Sequence, residues 1–261
     1  MVPDRAQFTT SLAILAKKGV KYSTVFDLGC ADGHFVVQHQ VFFPDGVPVN
    51  IDANVLYEPS LKSIQDAMGG HYRIAAVSDK PGTIELNTSI HPYWSSLRDS
   101  SDPYWERINK MTNDVRTVPA IRLDDLAVEL KLEPPYLIKL DIQGAEVQAL
   151  RGARNVLDKT NVVICEADLD DFQAINAELV AAGFILHDIT SLAYASDNTL
   201  GWFYPVYLNK SLAHLLPRAF WPEANNPTAI KQQIERRRNI LARLANELPR
   251  LKAARQARNS S

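Results

Sequence analysis

The sequence predicts an α/β fold with a mainly parallel sheet and helices on both of its faces. Short β-branched and apolar runs alternate with segments whose apolar residues follow helical spacing. A glycine-containing turn directly follows the first of these runs, as in folds that bind nucleotides at the ends of parallel strands. The 261 residues, 46% hydrophobic and 22% charged, suffice for one large domain with a full core.

Strand and helix patterns follow one another along most of the chain. The predicted strands cover residues 23–29, 47–52, 73–77, 83–86, 136–141, 161–166, 184–189 and 202–208. The predicted helices cover residues 11–18, 59–68, 145–157 and 172–182, with Ser11 as the N-cap of the first. Residues 89–119 are polar, irregular and too long for a plain connection, so we expect a substrate-binding loop there.

The C-terminal segment differs in charge from the rest of the chain. Residues 231–261 hold nine Lys and Arg against two Glu, a net +7, whereas the first 230 residues carry −9. A helix is predicted over residues 227–248, with Pro249 ending it. Its apolar residues could dock on the chain's own domain, pair two copies as a homodimer, or bind a partner enzyme. We divide the chain into an N-terminal helix (1–22), a central domain (23–210) and a basic helical tail (211–261).

Composition argues against several classes of protein. The two cysteines, Cys30 and Cys165, are too few for a disulfide framework or a multi-cysteine zinc site. No apolar run is long enough to span a bilayer, and the N-terminus does not resemble a signal peptide. An acidic body with a basic tail is not typical of a nucleic-acid-binding protein. We expect a cytoplasmic protein, and the basic tail leaves peripheral attachment to a membrane open.

The first site motif is Asp27-Leu-Gly-Cys-Ala-Asp-Gly33, directly after the first strand. Gly29 would allow a sharp turn, and Gly33 would let a ligand or the next helix come close. Asp52 ends the second strand 19 residues later, the position of an acid that accepts hydrogen bonds from ribose hydroxyls. Glu58 is the competing acid, and a plain tight turn beside a surface acid is the structural alternative. The pattern favours a bound nucleoside.

Acidic residues also follow the next two strands. Asp141 and Glu166 each end a strand, and Glu146 lies in the first turns of the helix between them. Because ligands bind outside the carboxyl ends of parallel strands, these acids suit a proton acceptor or a divalent cation, Mg²⁺ or Mn²⁺, held by Asp141 and Glu166. Alternatively, Glu146 only favours the N-terminus of its helix, and Glu166 pairs with a nearby cation.

Several motifs together resemble the FkbM family of S-adenosylmethionine-dependent methyltransferases, over residues 22–210. They are Asp27-Leu-Gly-Cys-Ala-Asp-Gly33, Asp52-Ala-Asn54, Ile74-Ala-Ala-Val-Ser-Asp79, Trp94-Ser-Ser-Leu97 and Ile138-Lys-Leu-Asp-Ile-Gln-Gly-Ala-Glu146. The last is the most specific. The resemblance implies the class I methyltransferase fold, a Rossmann-like seven-stranded sheet with one antiparallel strand near its end. It also implies S-adenosylmethionine as cofactor and O-methylation, often of sugar hydroxyls.

The resemblance also implies which residues bind the cofactor. Gly29 and Gly33 would face its methionine part, Asp52 its ribose, and Val77 and Ser78 its adenine. Asp27, Cys30 and Ala53 complete the set of expected cofactor-binding residues. Ala31 departs from the family pattern, where glycine is frequent. Because alanine tolerates ordinary backbone angles only, we expect this turn to differ locally.

The polar loop contains candidates for the acceptor site. Tyr93, Trp94, Ser95 and Ser96 could stack on a sugar ring and hydrogen-bond to its rim, and His91 could act as a general base. The alternatives are that Trp94 anchors the loop to the core and that His91 is a surface residue. The candidate catalytic residues are therefore Asp141, Glu146 and His91.

The sequence thus predicts an O-methyltransferase that acts on a sugar hydroxyl of a glycan, a glycolipid or a glycosylated natural product. A nicotinamide-dependent dehydrogenase is one alternative, but its glycine fingerprint is mis-spaced here and no Tyr-x-x-x-Lys pair is present. A non-catalytic assembly subunit, which would use the tail helix and the aromatic loop to bind proteins, is the other.

Overall fold

A computed structural model of the chain describes residues 7–89, 95 and 112–215, together with helical positions in the C-terminal segment. These positions are residues 228, 231, 232, 234–240, 242 and 249. The chain divides into two compact units, Met1–Leu216 and Pro217–Ser261.

The first unit is built on a seven-stranded sheet in the order β3-β2-β1-β7-β8-β10-β9. Its strands are β1 (Thr24–Leu28), β2 (Val47–Asp52), β3 (His71–Ile74), β7 (Tyr136–Leu140), β8 (Thr160–Cys165), β9 (Phe184–Tyr194) and β10 (Leu200–Asn209). Strands β1, β2, β3, β7 and β8 are parallel, and β10 runs antiparallel to both β8 and β9. This order with one reversed strand confirms the class I methyltransferase fold that the resemblance implied.

Helices cover the sheet on both faces. They are α1 (Phe8–Lys17), α2 (His34–His39), α3 (Glu58–Met68), α4 (Leu123–Glu129), α5 (Glu146–Arg151), α6 (Arg154–Leu157) and α7 (Phe172–Ala181). Alternate residues of each central strand enter two different cores, since Phe26 of β1 packs with residues of α4 to α7 and its neighbour Val25 packs with α1 and α2. Every residue of β1 and β7 is buried, because both faces of these strands are covered.

A second, three-stranded sheet has the order β4-β6-β5, with strands β4 (Ala76–Val77), β5 (Gly82–Ser89) and β6 (Thr112–Ile121). It corrects two expectations. The predicted strand 73–77 is divided between the two sheets, and residues 112–119 of the predicted loop 89–119 belong to β6. The sequence of β6 is polar because residues 114–117 are exposed, so no apolar pattern indicates a strand there. The strand is stabilised by its pairing with β5.

Two predicted helices have different limits in the structure. The helix predicted over 145–157 is interrupted between α5 and α6, where Gly152 packs against the backbone of Ser78 so closely that a Cβ atom would overlap the Ser78 carbonyl oxygen. The first helix begins at Phe8, so Ser11 is not its N-cap. Instead, Ser11 is buried and donates a hydrogen bond to Asp188 Oδ2 at 2.8 Å.

The described positions of the second unit are helical, in keeping with a helical tail. Pro249 is itself in a helical position, which proline tolerates in the first turn of a helix. Residues 243–248 lie outside the described residues, so the end of the predicted helix before Pro249 stays a prediction. Ile234 and Ile240 are exposed, whereas the side chains of Ile230, Leu241, Leu244 and Leu248 lie outside the described residues. No helix among the described residues is long and apolar enough to cross a membrane.

The turn after β1 gives a test of the fold. Gly29 and Gly19 both have positive φ, +70° and +81°, but only at Gly29 would a Cβ atom overlap the backbone, at the carbonyl of Asp141. We expect Gly19→Ala to lower the free energy of unfolding by about 1–2 kcal/mol. Gly29→Ala should lower it by more than about 4 kcal/mol or prevent folding. Urea denaturation measures both, and equal losses would contradict the close approach of the two strand ends.

Candidate functional site

A cleft of about 710 Å³ opens at the carboxyl ends of β1, β2 and β7. The turn after β1 forms its floor with residues 29–32, and Asp52 and Ala53 follow from β2. Lys139 of β7 and residues 141–143 complete the centre of the cleft. The three strands are adjacent and parallel, so segments far apart in sequence meet at one edge of the sheet.

The turn after β1 is held by Asp52. Ala31 has a φ of +47°, so the expectation that alanine keeps ordinary angles here is wrong. Its N–H donates a hydrogen bond to Asp52 Oδ2 at 2.8 Å, and Asn54 N–H donates to Oδ1 at 2.8 Å. A left-handed alanine costs roughly 1–2 kcal/mol, which the hydrogen bond to a carboxylate offsets.

Asp52 lines the cleft, whereas the competing acid Glu58 does not. Burial raises the pKa of Asp52, although its two backbone hydrogen bonds and Lys139 oppose the shift. Glu58 faces a separate shallow depression and accepts a hydrogen bond from the Tyr72 hydroxyl at 3.3 Å. The geometry therefore favours Asp52 over Glu58 as a ligand of anything bound in this cleft.

Of the other residues expected to bind the cofactor, some line the cleft and some do not. Gly29, Cys30, Ala53 and Val77 line the cleft. Gly33, Ser78 and Asp27 are not among the lining residues. Gly33 serves the packing of α3, since a Cβ atom there would overlap the side chain of Ile64. Asp27 is fully buried in β1.

Lys139 connects the floor of the cleft to its centre. Its ammonium lies 3.2 Å from Asp27 Oδ1 and 3.3 Å from Asp141 Oδ2, and it donates a hydrogen bond to the Gly29 carbonyl at 3.1 Å. Burial alone would lower the pKa of Lys139, but the two carboxylates outweigh burial and raise it. Sequence reasoning did not select Lys139. The available signal was a lysine inside the otherwise apolar strand Tyr-Leu-Ile-Lys-Leu, because a buried charge requires partners.

Asp141 is the centre of a hydrogen-bonded group. Its Oδ2 accepts a hydrogen bond from the Tyr204 hydroxyl at 2.8 Å, and its Oδ1 accepts one from Gln143 Nε2 at 3.0 Å. Burial opposes ionisation of Asp141, but Lys139 and the hydrogen bonds hold its pKa below the ordinary value. Burial and the charge of Asp141 raise the pKa of Glu166 well above its usual range. Of this pair, Asp141 is therefore the stronger acid and Glu166 the weaker one.

The described residues do not fit the predicted site for Mg²⁺ or Mn²⁺. The Gln143 amide lies between the two proposed ligands and donates to Asp141 at 3.0 Å and to Glu166 Oε2 at 2.6 Å. In the described part of the chain, no group of three or more His, Cys, Asp and Glu residues could hold a metal ion. Divalent cations require about six oxygen ligands, so we assign no step to a metal.

Glu146 contacts the backbone of the loop after β7 and is not among the residues that line the cleft. Its two oxygens accept hydrogen bonds from Ile142 N–H at 3.1 Å and Gly144 N–H at 2.9 Å. Burial raises its pKa to about 7. This geometry supports a role in shaping the loop that carries Gln143, rather than the catalytic role considered for Glu146.

Between β5 and β6, the predicted acceptor loop is described at one position, residue 95. His91, Tyr93, Trp94 and Ser96 lie outside the described residues. Ser95 lines the cleft, and its buried hydroxyl has no hydrogen-bond partner among the described residues. The cleft also contains residues that sequence reasoning missed, among them Tyr204 of β10 and Phe8 and Thr9 of α1. No motif marks them, because only the fold brings the two ends of the domain together.

Comparison with known proteins identifies a family. The family model described as a methyltransferase FkbM domain matches residues 35–186, more than half of the chain. No curated protein sequence matches significantly. Similar solved structures include the precorrin-6y C5,15-methyltransferase of Geobacter metallireducens GS-15, with 12% identity, a TM-score of 0.41, and coverage of 76% of this chain and 87% of that one. Another is the N-methyltransferase NodS of Bradyrhizobium japonicum WM9, with 10% identity, a TM-score of 0.42, and coverage of 77% and 93%.

The buried Glu146 makes stability depend on pH. Its folded pKa of about 7 lies above the ordinary 4.5, so its contribution is fully present below pH 4.5 and is lost as the pH rises through 7. Between pH 4.5 and about 7, ionisation of Glu146 lowers the free energy of unfolding by up to about 1.4 kcal/mol per pH unit. We expect Glu146→Gln, which cannot ionise, to lack this decline in urea denaturation at a series of pH values.

Glu85→Gln is the control, because Glu85 is exposed on β5. It should keep the wild-type dependence on pH. If wild type and Glu146→Gln decline equally between pH 4.5 and 7, then Glu146 does not carry a raised pKa.

Proposed function

The chain belongs to the FkbM methyltransferase family, and we propose that it transfers the methyl group of S-adenosylmethionine to a hydroxyl group of a sugar. The observation that carries the proposal is the position of Asp52. This acid ends β2 beside the glycine turn and lines a cleft that also contains Asp141, whose pKa is held below its ordinary value. One edge of the sheet thus offers an acid for a nucleoside and a second acid for the reaction.

The cofactor would lie across the ends of β1 and β2. Each oxygen of Asp52 accepts one backbone hydrogen bond and has a further lone pair for a ribose hydroxyl. The adenine would lie against an apolar wall formed by Ala53, Ala76, Val77 and Leu86, all of which line the cleft. The methionine part would pass over Gly29, where the absence of a side chain lets a ligand approach the backbone.

Asp141 is proposed to accept the proton of the acceptor hydroxyl. When bound, the cofactor would supply an electrophilic methyl group on a positively charged sulfur, so that the carbon–sulfur bond would break as the oxygen–carbon bond forms. The hydroxyl becomes strongly acidic as its oxygen shares electrons, so a carboxylate with a low pKa suffices as base. Tyr204 and Gln143 orient Asp141 through their hydrogen bonds, and much of the rate would come from proximity.

The first experiment is a screen of uncharged glycosides, oligosaccharides, glycolipids and sugar nucleotides with a labelled methyl donor. Label in a sugar ether supports the proposal. Label on nitrogen or carbon of another acceptor would overturn the substrate class. Cofactor binding without transfer to any acceptor would instead favour the non-catalytic assembly subunit.

Asp52→Asn tests the cofactor site. The amide keeps the shape of the side chain but loses its charge and one acceptor, and a lost hydrogen bond to a charged group costs about 1.5–3 kcal/mol. We expect S-adenosylhomocysteine to bind about ten- to hundredfold more weakly in calorimetry. Glu58→Gln is the matched control and should bind like wild type. Normal affinity in Asp52→Asn would remove the ribose role from this residue.

Asp141→Asn tests the proton acceptor. The variant should bind S-adenosylhomocysteine within about threefold of wild type, while turnover falls by about two orders of magnitude or more, because an amide cannot accept the proton. Asp170→Asn, an exposed acid beyond β8, is the control. Turnover close to wild type in Asp141→Asn would refute the role, and a large loss of cofactor affinity would indicate a structural role instead.

A further inference from the structure

Four aromatic rings form one wall of the cleft, away from the proposed adenine pocket. They are Phe8 at the start of α1, Phe35 and His39 of α2, and Tyr204 of β10, and we call them the aromatic wall. Phe8 is in the middle, with its ring centroid 5.9 Å from Phe35, 5.3 Å from His39 and 5.4 Å from Tyr204. Such distances are those of packed aromatic rings.

The aromatic wall leads directly to the reaction centre. Tyr204 belongs to the wall through its ring and donates its hydroxyl hydrogen to Asp141 Oδ2 at 2.8 Å. Phe35 and His39 are buried, and the rings of Phe8 and Tyr204 are inclined to each other at 50°. A molecule that packs against Phe8 and Tyr204 therefore has its edge close to the proposed proton acceptor. This is the position that an acceptor hydroxyl requires.

Hydrogen bonds fix the wall before any ligand binds. The N–H of Phe8 donates to Ser191 Oγ at 3.2 Å, and Thr9 Oγ1 lies 3.1 Å from His39 Nε2. His39 Nδ1 lies 2.9 Å from the Phe35 carbonyl, which can only accept, so Nδ1 carries the hydrogen and Nε2 accepts from Thr9. The rings are thus preorganised, which reduces the entropy lost on binding.

The charges of the cleft restrict what can bind there. Among the described lining residues, Lys139 is the one Lys or Arg, and its ammonium is shared between Asp27 and Asp141. The polar residues around the wall, Gln7, Thr9, Gln38 and Ser191, are uncharged. Arg and Lys are the side chains that most often bind phosphate, and the described residues around the wall include neither.

We propose that the aromatic wall is the acceptor subsite and that it selects an uncharged pyranoside rather than a sugar nucleotide or sugar phosphate. The C–H face of a pyranose can pack on Phe8 and Tyr204, the half-buried rings of the wall, while the amides and hydroxyls bind its rim. The inference rests on the proposed function and narrows its substrate class. Phe8, Ser191 and Tyr204 lie outside residues 35–186, so much of the subsite is built from parts of this chain that the family model does not cover.

Saturation-transfer NMR on the protein loaded with S-adenosylhomocysteine tests the proposal. The probes are methyl α-glucoside, methyl α-galactoside, methyl α-mannoside and UDP-glucose. We expect at least one methyl glycoside to bind wild type through its ring C–H protons and to bind Phe8→Leu about tenfold more weakly. UDP-glucose should not bind more tightly than the methyl glycosides. The affinity for S-adenosylhomocysteine should stay within about twofold in calorimetry.

Phe172→Leu is the matched control, because Phe172 packs on Phe203 with centroids 5.3 Å apart and is not among the cleft-lining residues. It should bind glycosides like wild type. If urea denaturation shows that Phe8→Leu is unfolded, Gln38→Ala, at an exposed lining position, replaces it with the same expectation.

Each failure has its own signature. Equal glycoside binding by wild type, Phe8→Leu and Gln38→Ala overturns the aromatic wall alone. Tighter binding of UDP-glucose than of the methyl glycosides overturns the uncharged class. If S-adenosylhomocysteine binds but no sugar does, the sugar acceptor of the proposed function is overturned, and this inference with it.

Discussion

The site depends on the two ion pairs that the ammonium of Lys139 makes with Asp27 and Asp141. The ammonium is buried between Asp27 of β1 and Asp141 of β7 and also binds the Gly29 carbonyl. Among the described residues, the ammonium is the one donor recorded within reach of the buried Asp27 oxygens, so this carboxyl group depends on Lys139. Removing one member of such a group leaves an uncompensated charge and costs about 3–5 kcal/mol. One cation thus joins the turn that would hold the cofactor to the acid that would take the proton.

This arrangement divides the acids of the site by environment rather than by residue type. The pKa of Asp141 is held below its ordinary value by the ammonium of Lys139 and by hydrogen bonds from Tyr204 and Gln143. The same Gln143 amide donates to Glu166, but burial and the charge of Asp141 raise the pKa of Glu166. Burial raises the pKa of Glu146, although two backbone N–H groups donate hydrogen bonds to its carboxylate. The three acids therefore suit three roles: Asp141 as the proton acceptor, Glu166 as the weaker acid beside it, and Glu146 as support for the loop after β7.

Much of the fold follows from local pattern. The strands at 24–28, 47–52, 136–140 and 160–165 were predicted within a residue or two, because buried parallel strands are short, apolar and bounded by glycine or acidic residues. The division of helix 145–157 and the strand β6 were missed. Gly152 interrupts the helix against Ser78, and β6 is stabilised by β5, so both depend on contacts between distant segments.

For the site, the sequence by itself determined the glycine turn, Asp52 and Asp141, since each follows a strand that its own residues define. It also indicated the family, through motifs that occur in order along the chain. Only the tertiary structure decided that Gly33 packs on α3, that Ala31 adopts a left-handed turn, and that Glu146 binds the backbone of the loop after β7. It alone placed Phe8 and Tyr204 in one wall beside Asp141. Strand ends can be read from local pattern, but the approach of residues nearly 200 positions apart is set by the order of strands in the sheet.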